Sequence, residues 1–291
     1  MPPAPPSRIG PAGVVDIAGA DALSFAHAQF ASNVSALPTG SWHWSSWLDA
    51  QGRVRNVFAL GRQAPDHLLV WLPLGDADAM AAALSRYVLR SKATVHASQE
   101  WQLSVDEIHE STEGVAAVAG EQWSIALSGG HTQAILARVT GGDSAPVDDR
   151  ALDRLLLAAV EAGLPWLADV LSGEFVAPAL GLAPLGATRL DKGCYPGQEI
   201  VARLHYRGGN KRHLARLRMA PGTHPSPGDP VFSSSGPERG RSGRVLYAAT
   251  ADDGSGHALA ILDDAGADSA ALFLDSGAIV QRVENQLGMA R

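Results

Sequence analysis

Residues 192 to 199 read Lys192-Gly193-Cys194-Tyr195-Pro196-Gly197-Gln198-Glu199, and Cys194 is the only cysteine of the chain. A thiol can act as a nucleophile, a redox centre or a metal ligand, and each role requires the thiolate. The spacing predicts a helix from Pro196 to about Tyr206. Proline stands at its first position, glutamate in its first turn, Ile200, Val201 and Leu204 at apolar spacing, and Gly208-Gly209 at its end. A strand is predicted just before the motif, from Gly186 to Leu190. Cys194 then lies just ahead of a helix N-terminus, where unpaired N–H groups and the helix dipole favour an anion, and Lys192 pushes the same way. A lone cysteine is commonly an inert buried hydrophobe. The flanking glycines, the lysine and the helix start argue against that reading, so Cys194 and Lys192 are the candidate catalytic pair.

The elements that must position this motif alternate along the chain. A strand at Val14 to Ile17 leads to a helix opened by Asp21, with Leu23, Phe25, Ala26 and Phe30 on its apolar side. Ser41 to Leu60 reads as a hairpin turning at Asp49-Ala50-Gln51-Gly52. Trp42 and Trp44 fall on one face of it, a pattern that suits core packing better than stacking on a flat ligand. A strand from Asp66 to Leu72 and a helix from Asp76 to Arg90 follow. Short strands are then predicted at Ala93 to His96, Trp101 to Val105, Val115 to Val118, Ser124 to Leu127 and Ala134 to Val139. The strongest helix runs from Asp148 to Ala162 and stops at Gly163. Glu161 occupies its last turn, where a negative charge opposes the helix dipole by several tenths of a kcal/mol.

From His213 to Arg282, short strands alternate with Gly, Pro, Ser and Asp turns, as in a small antiparallel barrel or sandwich, with Ser233 to Gly243 a loop. The pattern is α+β rather than doubly wound. Three stretches are expected: a disordered proline-rich tail at 1–11, an α+β body at 12–208 with an intertwined second subdomain at roughly 60–140, and a barrel at 209–291.

Composition narrows the function. One cysteine makes no internal disulfide, which fits a cytoplasmic protein. No stretch approaches the roughly 20 apolar residues of a membrane helix, and the first eleven residues lack the pattern of a secretory signal. Net charge is −7, yet Lys192 to Arg218 holds seven basic residues and one acid, Glu199. Such a strip suits a local anionic partner, or is simply solvated. A nucleophile elbow, a phosphate-binding loop with its lysine and a zinc-type His pair are all missing. Gly129-Gly130 and Gly141-Gly142 lack a strand-to-helix phosphate context and read as turns.

The motif at 192–199, continued by Ile200-Val201-Ala202-Arg203, Tyr206-Arg207-Gly208 and Lys211-Arg212, resembles the YgfZ-type folate-binding proteins, relatives of the glycine-cleavage T protein. Leu48 to Val54, Arg86 to Lys92 and Glu161-Ala162-Gly163-Leu164-Pro165 match further family segments in the same order, so the resemblance runs from about residue 12 to the end. It implies a three-part ring of two α+β parts and a C-terminal antiparallel β-barrel, with tetrahydrofolate, or a one-carbon derivative of it, at the centre. It implies that Glu161 accepts a fork of hydrogen bonds from the pterin N3–H and 2-amino group. Tyr195, Gln198, Glu199 and Arg203 are the other cofactor-binding residues that it implies.

The family's Thr-Asn-Asp is here Ala31-Ser32-Asn33, an amide in place of an acid, and no segment matches the catalytic aspartate region of the aminomethyltransferases. The implied role is that of a folate-dependent accessory factor in assembling or repairing iron–sulfur enzymes, including tRNA-thiolating ones. Its partners would be those enzymes or assembly proteins. Two alternatives stay open: a folate-dependent one-carbon transferase, and a tRNA-binding module making a weak contact through the basic strip.

Overall fold

The computed structural model describes residues 6–107, 118–119, 121–127, 132–139, 147–235, 239–269 and 271–283. In chain order the body comprises β1 (Ser7–Pro11), β2 (Gly13–Ala18), α1 (Ala22–Gln29), β3 (Trp42–Leu48), β4 (Val54–Ala64), β5 (His67–Leu72), α2 (Ala77–Ser85), β6 (Thr94–Ser98), β7 (Trp101–Glu107), β8 (Val118–Ala119), β9 (Gln122–Ala126), β10 (Thr132–Arg138), α3 (Ala151–Ala162) and α4 (Gln198–Arg207). The remainder comprises β11 (Arg212–Met219), β12 (Pro230–Phe232), β13 (Arg241–Thr250), β14 (Gly256–Asp263), α5 (Asp264–Asp268), β15 (Leu272–Leu274) and β16 (Ile279–Val283).

Alternation along the strands builds the layers. In β2 and β5, Val15, Ile17, Leu68 and Val70 face α1 and α2, against Phe25, Ala26, Met80 and Leu84. Val14, Leu69 and Trp71 point the other way, into a second core. The first sheet has the order β3-β4-β5-β2-β6 and the second β1-β7-β10-β9-β8, while β11 to β16 close into a barrel ordered β11-β14-β13-β12-β15-β16. The second core is where the three parts meet. Trp101 and Leu103 come from the second sheet, Leu155 and Ala159 from α3, and Leu246, Tyr247 and Ile261 from the outer face of the barrel. Trp166 lies at its centre, stacked on Tyr247 at 5.9 Å and edge-on to Trp71 at 5.8 Å. Tyr247 donates to the Leu164 carbonyl at 2.6 Å, and its burial raises the phenol pKa well above the ordinary value. Leu217, Val231, Val245, Ala260 and Leu262 fill the barrel itself. The chain is therefore α+β, with three parts gathered on a common core and a C-terminal antiparallel barrel.

Several expectations are corrected. Ser7 to Pro11 is not tail but β1, paired antiparallel with β7, because this stretch supplies the edge of the second sheet. Residues 1–5 lie outside the described residues. The boundary near residue 60 cuts through β4, and β5, α2 and β6 belong to the first sheet, since β2 pairs with both β5 and β6. The second sheet is built from β1 and the strands between Trp101 and Arg138. Gly186 to Leu190 is a succession of turns. Gly186 takes φ +69°, which breaks an extended run, and Arg189 N–H makes a single rung to the Ala31 carbonyl.

Helix α2 opens as expected, with the Asp76 carboxylate accepting from Ala79 N–H at 3.0 Å, but ends at Ser85. There the hydroxyl bonds the Ala81 and Val95 carbonyls, at 2.8 and 3.2 Å. Helix α3 starts at Ala151, because Asp148 accepts from Arg150 N–H in a turn ahead of it. The loop from Ser233 gives way to β13 at Arg241. Of the strand expected at Val115 to Val118, only Val118 is described; Gly129-Gly130 and Gly141-Gly142 lie outside the described residues.

Candidate functional site

The loop from Lys192 to Gly197 is fastened at both ends by groups far away in sequence. At the front, Lys192 Nζ donates to the Phe30 carbonyl at 2.7 Å and to the His27 carbonyl. The ammonium thus satisfies orphan carbonyls at the C-terminal end of α1, where the dipole also favours a cation. Burial lowers the Lys192 pKa to about 8, and the negative charge of a Cys194 thiolate partly offsets this. The same ammonium sits 5.1 Å above the Tyr195 ring.

At the back, Gly197 has φ +77° and caps α4. A Cβ built on it would lie 2.5 Å from both the Asp49 carbonyl oxygen and the Gly52 Cα. The β3–β4 turn therefore docks on the start of α4 backbone to backbone. Gly52, at φ +72°, meets Ile200 in return: a Cβ there would come within 2.9 Å of the Ile200 Cβ. The left-handed Gly197 also delays the helix. It begins at Gln198, so Tyr195, Pro196 and Gly197 separate Cys194 from its first turn, and the dipole acts on the thiol less directly than the sequence suggests.

Between these fastenings Tyr195 is buried and Cys194 is exposed. A thiol is thus held out on a loop whose two ends are fastened. His27, which nothing in the sequence singles out, completes the surroundings. A Cβ on Gly193 would lie 3.5 Å from its Nε2. Ser35 N–H donates to His27 Nδ1 at 3.2 Å, which leaves the proton of the neutral ring on Nε2, facing the loop. Burial, then the Lys192 charge, keep this imidazole below its ordinary pKa. Gln198 reaches back to the Lys192 carbonyl at 3.5 Å. The Tyr195 hydroxyl has no hydrogen-bond partner among the described residues, and burial lifts its pKa to about 12.

The segment preceding the loop is clamped from behind by β3. Ser46 Oγ donates to the Ala187 carbonyl at 2.8 Å and lies 3.2 Å from Thr188 Oγ1. On the opposite face of β3, buried Ser32 bridges Ser45 Oγ at 2.7 Å and His43 Nε2 at 3.0 Å. Burial drives the His43 pKa down to about 4. Asn33 opens the short turn after α1, its Oδ1 accepting from the Ser35 hydroxyl at 2.9 Å, so the amide that replaces the family acid is engaged locally. Trp42 and Trp44 pack edge to face at 5.3 Å, and Trp44 continues to Trp166 at 6.1 Å: Trp44 is core and half-buried Trp42 packs against it.

Glu161 stands apart from this loop, in the last turn of α3 beside the barrel. Its carbonyl accepts from Arg216 at 3.2 Å, and its charge raises the His257 pKa against a larger lowering from burial. The carboxylate is exposed and makes no hydrogen bond to the described residues. Gly163, at φ +67°, ends the helix directly beyond it. No hydrogen bond joins Glu161 to Cys194. Glu199 and Arg203 lie on the exposed face of α4, whose inner side is Val201. Among the described residues, no group of three or more His, Cys, Asp or Glu is arranged to hold a metal, and no helix is long and apolar enough to cross a membrane.

The basic strip does not behave as one unit. Lys192 is spent on α1, Arg216 on the Glu161 carbonyl, and Arg218 lies 3.6 Å from Asp253. Arg203, Arg207 and Lys211 are exposed and form no ion pair among the described residues.

Proteins of the same general layout are known. The chain is 26% identical over 266 residues to the tRNA-modifying protein YgfZ of Aliivibrio fischeri (strain MJ11), covering 86% of this chain and 82% of that protein. It is 28% identical to the YgfZ proteins of Klebsiella pneumoniae (strain 342) and Serratia proteamaculans (strain 568), covering 82% and 83% of this chain and 79% of each relative. The chain is similar to these YgfZ proteins over most of its length. In fold the chain is similar to a solved structure, the glycine cleavage system aminomethyltransferase T from Bartonella henselae. The TM-score is 0.67 at 16% identity, over 96% of this chain and 86% of that one, a likeness of fold. No protein-family model matches the chain.

Proposed function

We propose that this YgfZ-like chain is a tetrahydrofolate-binding accessory factor that supports iron–sulfur enzymes of tRNA modification, with Cys194 as its working thiol. The observation that carries the reading is the mounting of Cys194: an exposed thiol on a loop pinned by Lys192, buried Tyr195 and the Gly197–Gly52 contact. A structural cysteine would be buried; this one is presented to a partner. The resemblance, and the similarity to tRNA-modifying proteins, supply the context of tRNA modification.

The chemistry of the residues that the resemblance implies supports a folate. Glu161 carries an unengaged carboxylate at the helix end where electrostatics disfavours it, and the pterin N3–H and 2-amino group would satisfy it. The buried Tyr195 hydroxyl lacks a partner, a condition that a polar ligand or a water relieves. Gln198 would contact the ligand from the start of α4, and exposed Arg203 would meet its anionic glutamyl tail. Glu199 does not complement that tail, and its place in the first turn of α4 is explained by the helix dipole alone. Tetrahydrofolate, when bound, supplies a carrier for one-carbon groups. The protein's own contribution is to hold the pterin, present the thiol and keep Lys192 and His27 beside it. Its partners on this reading are iron–sulfur enzymes or their assembly proteins.

Calorimetric titration of tetrahydrofolate tests the ligand: saturable binding is expected, and absence of heat, or equal binding by Glu161→Ala, defeats it. Cys194→Ala should retain that binding while failing to restore the activity of iron–sulfur tRNA-modifying enzymes in cells lacking the protein. The aminomethyltransferase likeness favours a second reading, one-carbon transfer from a methylated or aminomethyl amine to tetrahydrofolate. Formation of methylene-tetrahydrofolate on incubation with such donors would establish it, and the engaged Asn33 amide counts against it.

A further inference from the structure

We propose that the C-terminal end of α4 and a small cavity on the neighbouring barrel form one contact surface for single-stranded RNA. This goes beyond the folate reading and stands or falls separately from it. Tyr206 is 77% exposed on α4, with Arg207 beside it and the His205 ring edge-on at 4.9 Å. Beyond the helix the Asn210 amide bonds the Pro178 and Arg212 carbonyls, at 3.3 and 2.8 Å, which fixes the turn carrying Lys211. Arg212 then leads into a cavity of about 90 Å³ floored by Phe175 and flanked by Arg212 and Arg241.

The carboxylates lining that cavity are already committed. Glu174 pairs with Arg244 at 2.7 Å, and Asp263 caps α5 by accepting from Gly266 N–H at 2.8 Å. Arg207, Lys211, Arg212 and Arg241 make no ion pair among the described residues, on a chain of net charge −7. The helix dipole accounts for a cation at Arg207. Arg212 lies over the Phe175 ring at 5.8 Å. Neither interaction accounts for Lys211 or Arg241, nor for an aromatic ring left in water. His205, Arg207, Gly208 and Gly209, which flank Tyr206 along the chain, are polar or glycine, a setting unlike the apolar centre of a protein interface. A flat, exposed ring followed by a line of cations matches a strand that stacks a base and lays its phosphates along the turn into the cavity.

Fluorescence anisotropy of the full chain with a labelled single-stranded RNA of mixed sequence tests this. Four neutralised phosphates predict a loss of roughly fiftyfold in affinity between about 50 and about 200 mM salt. Tyr206→Ala should weaken binding about fivefold or more while Tyr206→Phe retains it. Arg207→Glu with Lys211→Glu, and Arg212→Ser with Arg241→Ser, should each weaken it tenfold or more and flatten the salt dependence. Circular dichroism and tetrahydrofolate titration of the same variants separate this surface from the folate site. RNA affinity indifferent to these substitutions overturns the proposal. So does a polyglutamate peptide that binds as tightly as RNA and is equally unaffected by Tyr206→Ala, which would assign the face to an acidic protein.

Discussion

The end of α3 and the start of α4 each carry a glutamate, and the two are opposites. Glu199 sits in a first turn, where the helix dipole welcomes it; Glu161 sits in a last turn, where the dipole opposes it. Backbone fit at Gly197 and clamping by Ser46 surround the first with structural purpose. The second protrudes into solvent with a neighbouring His257 and no bonded partner among the described residues. A charge that local electrostatics supports reports on folding, whereas one that it opposes invites a ligand.

The largest test lies at the start of α4. Gly197→Ala introduces an atom that must displace the Asp49–Gly52 turn and holds a side chain at positive φ, so a loss of about 3 to 4 kcal/mol is expected in urea unfolding. An unchanged midpoint would mean that this helix start is not pinned. Next is the polar row on the opposite face of β3. His43 is held neutral down to about pH 4 in the native chain but protonates near 6.5 when unfolded, so the unfolded state binds more protons between these values. Stability should therefore fall by on the order of 3 kcal/mol as pH drops from 6.5 towards 4. A His43→Asn variant should lack that component of the pH slope, and an identical slope would show that the row is not protected from solvent.

At the end of α3, Glu161→Gln should weaken tetrahydrofolate binding by roughly ten- to a hundredfold, the worth of charge-assisted bonds, with thermal stability equal or slightly raised. Calorimetry and melting together decide it: lost stability with unchanged affinity would reverse the comparison. The smallest effect is that of Glu199→Gln, about 0.3 to 1 kcal/mol of stability, with folate affinity unchanged.

Local pattern made much of this legible. The Trp42/Trp44 alternation, the Asp76 cap, the Gly163 stop and the strand-and-turn rhythm after His213 all follow from period and capping, and the α+β architecture with its barrel came with them. What depended on distant pairing was not legible. Nothing in Ser7 to Pro11 announces that β7 needs an edge partner, and nothing at residue 60 says that β5 and β6 will return to flank β2. At the site, Cys194 and Lys192 were visible as types and spacing. The employment of the lysine on α1 and the approach of His27 were not, because no local rule links residues so far apart. The start of α4 was misplaced for a related reason: the left-handed Gly197 is imposed by the turn it meets, not by its own neighbours.

The meeting of Gly52 and Gly197 also bears on when the thiol acquires its setting. The first hairpin can form early, since its strands are adjacent in sequence, but the loop around Cys194 needs that hairpin's turn as a mould, and closing so long a span is slow. During synthesis the residues of that mould leave the ribosome long before the segment that fits it. The loop is thus shaped only when most of the body already exists to receive it, and until then Cys194 is an ordinary side chain on an unfinished polypeptide.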